Sequence, residues 1–247
     1  MRSAILHYAE DPIPEELNGH GHAGNPTEVP HLAYLPLPYV GFEHADGRLL
    51  GLAISLPKTL SEVARHALYR AIGSWENVQG EQLRLTLGAR GVIHMSRLHG
   101  PTALVSLRPS IWHQSSRQWI SATPIALPRH PGRLGRGTLA ARTRAWSEAE
   151  AAVKAACEHV GLPEPLVVQI SQSPYLVGGN VSWRFPAFSQ NGRDGRPIRR
   201  QLVHALLTFE DAVTGPLMLG AGRFLGLGLM RPSADVDEAN SNGARNG

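Results

Sequence analysis

The chain has 247 residues, 42% of them hydrophobic, 18% charged and 6% aromatic, enough apolar matter for one large core or two smaller ones. That composition excludes a wholly disordered chain, a coiled coil and a collagen-like fibre. A single cysteine, Cys157, excludes an internal disulfide framework and a zinc site of paired thiolates, and the net charge of +4 hides a strong asymmetry along the chain.

In chain order, residues 1–30, with Pro12, Pro14, Gly19, Gly21, Gly24, Pro26 and Pro30, read as an irregular arm. Residues 31–40 (HLAYLPLPYV) are apolar but broken by two prolines, which suits an edge strand. Asp46-Gly47 favours a tight turn into a second strand over 48–56, so 31–56 reads as a hairpin. Thr59 or Ser61 caps a helix whose apolar stripe is Leu60, Val63, Ala64, Ala67, Leu68 and Ile72. Short strands are expected over 82–87, 92–98, 102–107 and 119–127. The loop 128–144 carries Arg129, His130, Arg133, Arg136, Arg142 and Arg144. A helix follows over 147–160, capped by Ser147, with Glu148 and Glu150 complementing its dipole and Gly161 closing it. Strands over 166–171, 181–188, 201–209, 217–219 and 224–230 complete the pattern, and 233–247 reads as a disordered tail. Few, isolated helices exclude a doubly wound parallel sheet. The expected fold class is α+β: tandem ferredoxin-like (RRM-like) βαββαβ domains with antiparallel sheets, over 31–112 and 113–232, with the boundary in 108–118. No apolar run reaches the roughly 20 residues of a membrane span, and the first nine residues lack a signal-peptide core, so a cytoplasmic protein without membrane contact is expected.

The cations are 22 Arg and only 2 Lys. Residues 82–147, 66 in all, contain ten Arg and no Asp or Glu, whereas the rest of the chain is net acidic. A genome bias toward Arg explains the ratio of Arg to Lys but not the missing acids. Guanidinium forks match phosphate oxygens and stack on bases, so an acid-free Arg window points to a polyanion, most simply a nucleic-acid backbone. The five tryptophans, 75, 112, 119, 146 and 183, read as core or interface residues.

Near the C-terminus, Gly220, Gly222, Gly226 and Gly228 form a GxGxxxGxG run around Arg223 and Phe224. Only 19 residues remain after Gly228, too few for the βαβ unit of a dinucleotide fingerprint, and no Lys-Ser/Thr of a P-loop follows. The glycines admit a phosphate backbone to close range, with Arg223 for charge and Phe224 for stacking; tight strand packing explains them equally well. Of twelve histidines, His20, His22, His31 and His44 cluster early in irregular or turn segments. Imidazole works as general base and acid near neutral pH. His20-Gly21-His22 has the spacing of a metal pair but no carboxylate or thiolate at motif distance. His66 and His159, on helices, read as structural. No nucleophile elbow is present, and Cys157 lies in an alanine-rich helix, so serine or cysteine catalysis has no support.

These features resemble a known group. The glycine-rich run after a tandem α+β chain is similar to that of the RAMP superfamily of CRISPR-associated RNA-binding proteins. Gly19-His20, the segment 31–41, the segment 44–51 (HADGRLLG) and the segment 119–129 (WISATPIALPR) resemble the CRISPR repeat-processing endoribonuclease of subtype I-U (I-G), over roughly residues 15–231. In that subtype the nuclease is usually the C-terminal half of a fusion with a second RAMP subunit. No such half precedes Met1, so a separated form or an isolated domain is expected.

The resemblance implies cutting of precursor CRISPR RNA within its repeats without metal or cofactor, by 2′-OH attack. His20, His31 and His44 are then the catalytic candidates, with Tyr39 assisting. The glycine run, Arg223 and Phe224 bind RNA, and Arg129, Arg133 and Arg136 grip the repeat stem. Expected partners are CRISPR repeat RNA and other subunits of a type I effector complex. A non-catalytic guide-RNA-binding subunit and a metal-dependent hydrolase built on His20 and His22 are the alternatives.

Overall fold

The computed structural model describes residues 1–21, 27–80, 82–191 and 197–233, a mixed α+β protein whose paired strands run antiparallel. Two compact units divide the chain. Residues 1–37 and 51–103 form the first; residues 38–50 and the chain from Leu104 on form the second. The expected boundary near 112 therefore lies nine residues beyond Ala103, and the segment 38–50 belongs with the later unit. The expected tail lies outside the described residues.

In the first unit the arm is not irregular throughout. Two short helices, α1 (Arg2–His7) and α2 (Glu15–Asn18), bury Ile5 and Leu17. Gly19 ends α2 in the left-handed region, with its N–H donating to the Glu15 carbonyl at 2.8 Å. The expected hairpin is present as β1 (Ala33–Pro38) and β2 (Leu49–Ser55). Helix α3 (Glu62–Gln79) starts at Ser61, whose Oγ accepts from the Ala64 N–H at 3.2 Å. Its buried face is Ala64, Leu68, Ala71 and Trp75, rotated from the expected stripe so that Val63 is 71% exposed. A second hairpin, β3 (Leu83–Thr86) and β4 (Val92–Met95), forms its own two-stranded sheet. The first unit thus holds two separate hairpins rather than one four-stranded sheet.

Residues 102–107, expected as a strand, form no strand; Val105–Leu107 is a single 3₁₀ turn, with Leu104 and Val105 largely exposed. The second unit is built on β5 (Ser115–Ser121), β6 (Ile125–Ala126), β7 (Val167–Ser171), β10 (Leu202–Thr214) and β11 (Met230–Pro232). The sheet is centred on β10, which pairs with β5 and β6 along one edge and β7 along the other, while β11 pairs with β5. Helix α4 (Leu139–His159) carries the chain from β6 to β7, leaving β10 between β5 and β7. It starts eight residues before the expected position: Thr138 Oγ1 accepts from the Ala141 N–H at 3.2 Å, and the helix formers between Leu139 and Trp146 carry it forward. It closes as expected at Gly161, with the Leu162 N–H reaching the Cys157 carbonyl at 3.0 Å and the Gly161 N–H reaching Glu158 at 2.9 Å. Ala145, Ala149, Ala152 and Val153 of α4 pack on Trp119, Val203, Leu207 and Phe209 of the sheet. Residues 181–188 make a 3₁₀ turn at Ser182–Arg184 instead of a strand, and a small hairpin, β8 (Ser189–Asn191) and β9 (Pro197–Arg199), follows. Residues 217–219 and 224–230 give only a bridge between Met218 and Leu229 and a 3₁₀ turn at Arg223–Leu225 before β11. No helix among the described residues is long and apolar enough to cross a membrane.

Candidate functional site

The residues singled out from the sequence fall into three places. In the first unit, the His31 ring lies against Gly19, the residue before His20. A Cβ at Gly19 would lie 3.2 Å from His31 Cδ2 and 3.3 Å from Nε2, so only glycine, also at φ +72°, lets the ring lie against this turn. The His31 Nδ1 is 3.2 Å from the Val29 carbonyl, and the exposed His20 is held at its N–H by Asn18 Oδ1 at 2.6 Å. Glu15 is close by, accepting from Thr27 Oγ1 at 2.9 Å. Among the described residues no group of three or more His, Cys, Asp or Glu gathers as metal ligands do; His22 lies outside them.

In the second unit, Tyr39 and His44 share the hairpin tip 39–48. Its turn is fixed by Gly47, at φ +75°, where a Cβ would fall 2.3 Å from the Gly178 carbonyl oxygen. The Gly41 N–H donates to Val177 O at 2.8 Å, which seats the tip on the loop 174–180. Tyr39 stacks on Phe42 at 5.5 Å between centroids, and two guanidiniums flank the pair: Arg48 is 5.4 Å from the Tyr39 ring and Arg231 4.1 Å from the Phe42 ring. Arg231 also donates to the Val40 carbonyl, and burial pulls its pKa below the usual arginine value. The tip therefore carries Tyr39 and the exposed His44 and Arg48, the last ion-paired to Asp46 at 3.1 Å, and Arg231 reaches it from β11.

The third place is a cleft of about 530 Å³ between α4, the start of the Arg-rich loop and the glycine-rich run. Its floor is alanine: 151, 152, 155 and 156. Its polar lining is Arg129, His130, Glu148, His159 and Arg223. Arg223 is half-buried, 4.4 Å above the Phe224 ring, with Nη2 3.3 Å from His159 Nε2 and Nη1 donating to Gly220 O at 3.4 Å; burial lowers its pKa. The Gly132 N–H donates to His130 Nδ1 at 3.0 Å, which leaves that ring's proton on Nε2.

Of the four loop glycines only Gly220 lines the cleft. Gly228, at φ +70°, packs so tightly on Leu219 that a Cβ would stand 1.9 Å from its carbonyl oxygen. The N–H groups of Ala221, Arg223, Leu225, Leu227 and Gly228 all donate within the protein. Those five amides are therefore engaged within the protein, and the Arg223 guanidinium is the run's charged group in the cleft. Arg133 and Arg136 are exposed farther along the loop and do not line the cleft, and Arg142 and Arg144 stand on α4. Sequence reading missed His159 and Arg231 as site residues; His159 read as structural because its partner, Arg223, is 64 residues away.

No curated protein and no solved structure gives a significant match to the chain. One family model does match, over residues 1–232, and the chain belongs to the CRISPR-associated protein, GSU0054 family.

Proposed function

We propose that the chain is a metal-independent, RAMP-type endoribonuclease that cuts precursor CRISPR RNA within its repeats. The observation that carries this reading is the cleft in which Arg129, Arg223, His130 and His159 stand with one carboxylate, Glu148, in a chain that belongs to a CRISPR-associated family. Two half-buried or rim guanidiniums over an apolar floor bind a phosphodiester, and an Arg223 already desolvated loses little more on meeting one.

The chemistry asks little of the protein. A base takes the proton from a ribose 2′-OH, the oxygen attacks the adjacent phosphorus in line, and an acid protonates the departing 5′-oxygen. The ends are a 2′,3′-cyclic phosphate and a 5′-OH. Cations offset the charge building on the phosphoryl oxygens. His44 and Tyr39 share a hairpin tip whose Tyr39–Phe42 pair is flanked by Arg48 and Arg231, and are one candidate set; His20 and His31 of the first unit are further candidates. Cutting of a repeat RNA by the full chain and by His20→Ala, His31→Ala, His44→Ala and Tyr39→Phe tests the assignment. We expect at least a hundredfold loss for the true base or acid, with RNA affinity retained. Unchanged cutting by all four variants would remove these residues from the chemistry. A guide-holding subunit without cleavage is the second reading. The engaged ring nitrogens of His130 and His159 favour it, since the cleft then binds rather than cuts.

A further inference from the structure

Next to the cleft lies a second pocket, of about 270 Å³, that nothing above explains. Its lining includes Trp183, Phe185, Arg199, Arg200, Gln172 and Gln201. Trp183, which the sequence marks as a core or interface residue, is 65% exposed. It stands on the 3₁₀ turn Ser182–Arg184, which is anchored by the buried Ser182, whose N–H donates to Gln172 O at 2.9 Å. Phe185 is held edge-on to the buried His204 at 6.4 Å. An indole displayed on so fixed a support keeps a large apolar face in water, which is the usual signature of a contact surface. Among the described residues the pocket's lining contains two guanidiniums and no carboxylate.

The pocket is continuous with the cleft. His130 lines both, and Arg200 Nη1 donates to the carbonyl of Pro128, which lines the cleft. We propose that this pocket is a nucleobase subsite. It takes one unpaired base of the RNA strand whose phosphates cross the cleft, stacks it on Trp183, and holds the adjoining phosphates with Arg199 and Arg200. The pocket has room for a base but not for a duplex, and aromatic stacking beside cations is how single strands are held without sequence readout. Gln172 and Gln201 give a base edge further polar groups to match, with Gln201 Nε2 already donating to the Leu202 carbonyl at 3.4 Å. A peptide carrying acidic groups would satisfy the arginines but would leave the exposed indole face without a flat partner. The inference rests on the chain's being an RNA-binding enzyme and deepens that reading.

The test uses the full chain, with oligo(A) and oligo(U) hexanucleotides and a short blunt RNA duplex as probes, and reads tryptophan emission and affinity. Trp75, Trp112 and Trp119 are buried and Trp146 is partly buried, so loss of the quench in Trp183→Ala assigns it to the exposed Trp183. We expect quenching by the single strands and about tenfold weaker binding by Trp183→Ala. Trp183→Phe should recover most of that affinity, and duplex binding should be indifferent to either change. Arg199→Gln should flatten the salt dependence while leaving the quench amplitude in place. Equal single-strand affinity of wild type and Trp183→Ala would overturn the subsite. So would a Trp183 that responds to purified protein subunits of the CRISPR complex but not to RNA. Cutting of repeat RNA is read on the same preparations. Quenching without cutting removes the nuclease reading and leaves the pocket; cutting with an inert Trp183 does the reverse.

Discussion

His204 shows at the scale of one residue how ionisable groups are spent here. It is completely buried in β10, with Nδ1 3.0 Å from Ser121 Oγ and Nε2 donating to the Asn180 carbonyl at 2.9 Å. Burial pushes its pKa below the ordinary 6.5, and the hydrogen bonds to Asn180 and Ser121 only partly offset that. The unfolded chain therefore binds this proton more readily than the native one, so ν_U exceeds ν_N and stability rises with pH. We expect native stability to fall as pH drops below about 6.5, by no more than about 1.4 kcal/mol per pH unit from this group. Thermal unfolding from pH 7 to pH 5 checks this: His204→Gln should lower Tm at pH 7 yet flatten its pH dependence, and an unflattened curve would assign the acid sensitivity elsewhere. Cys157 is the complementary case. Burial raises its thiol to about 12, which agrees with a thiol that takes no part in chemistry. Among the surface cations, Arg129 lines the cleft and is exposed. Arg129→Ala should weaken RNA binding across sequences and reduce the salt slope by about 1. A slope identical to wild type would take Arg129 out of the interface.

At the scale of elements, the hairpin tip 39–48 carries the strongest local demand. Gly47→Val puts a β-branched side chain at φ +75° and against the Gly178 carbonyl, costing at least about 1–2 kcal/mol and displacing His44 and Tyr39. Cleavage should fall at least tenfold with RNA affinity within about twofold of wild type. An equal fall in both would mean that the tip binds rather than reacts. The hairpin itself was legible, because Asp-Gly between two apolar runs states its own turn. Helix α4 was legible as an element but not at its start: Thr138 and Ser147 cap equally well on paper, and Glu148 and Glu150 imitate a first turn. The helices around Ile5 and Leu17 were hidden by the prolines and glycines beside them. Leu104 and Val105 looked like strand and are exposed, since a short apolar run has no period that separates a strand from a loop.

At the scale of the molecule, membership of the CRISPR-associated family agrees with the residues 31–51 and 119–129 that carried the resemblance. The α+β class was readable from alternation of short strands and lone helices, whereas the separate hairpins of the first unit were not, because pairing between strands leaves no mark within either. The cleft was legible only in parts. Arg129 and Arg223 stood out as charge, but their assembly with His159 joins segments 30 and 64 residues apart, and sequence carries no signal of that meeting. The central claim concerns chemistry: a 2′-oxygen attacks, and no metal is required. The direct measurement is incubation of the full chain with an end-labelled cognate repeat RNA in excess EDTA, beside the same RNA carrying a 2′-deoxy nucleotide at the mapped cut. We expect a single cut that survives EDTA, ends in a 2′,3′-cyclic phosphate and vanishes with the 2′-deoxy substrate. A cut that needs restored metal, or that persists on the 2′-deoxy RNA, would contradict the mechanism.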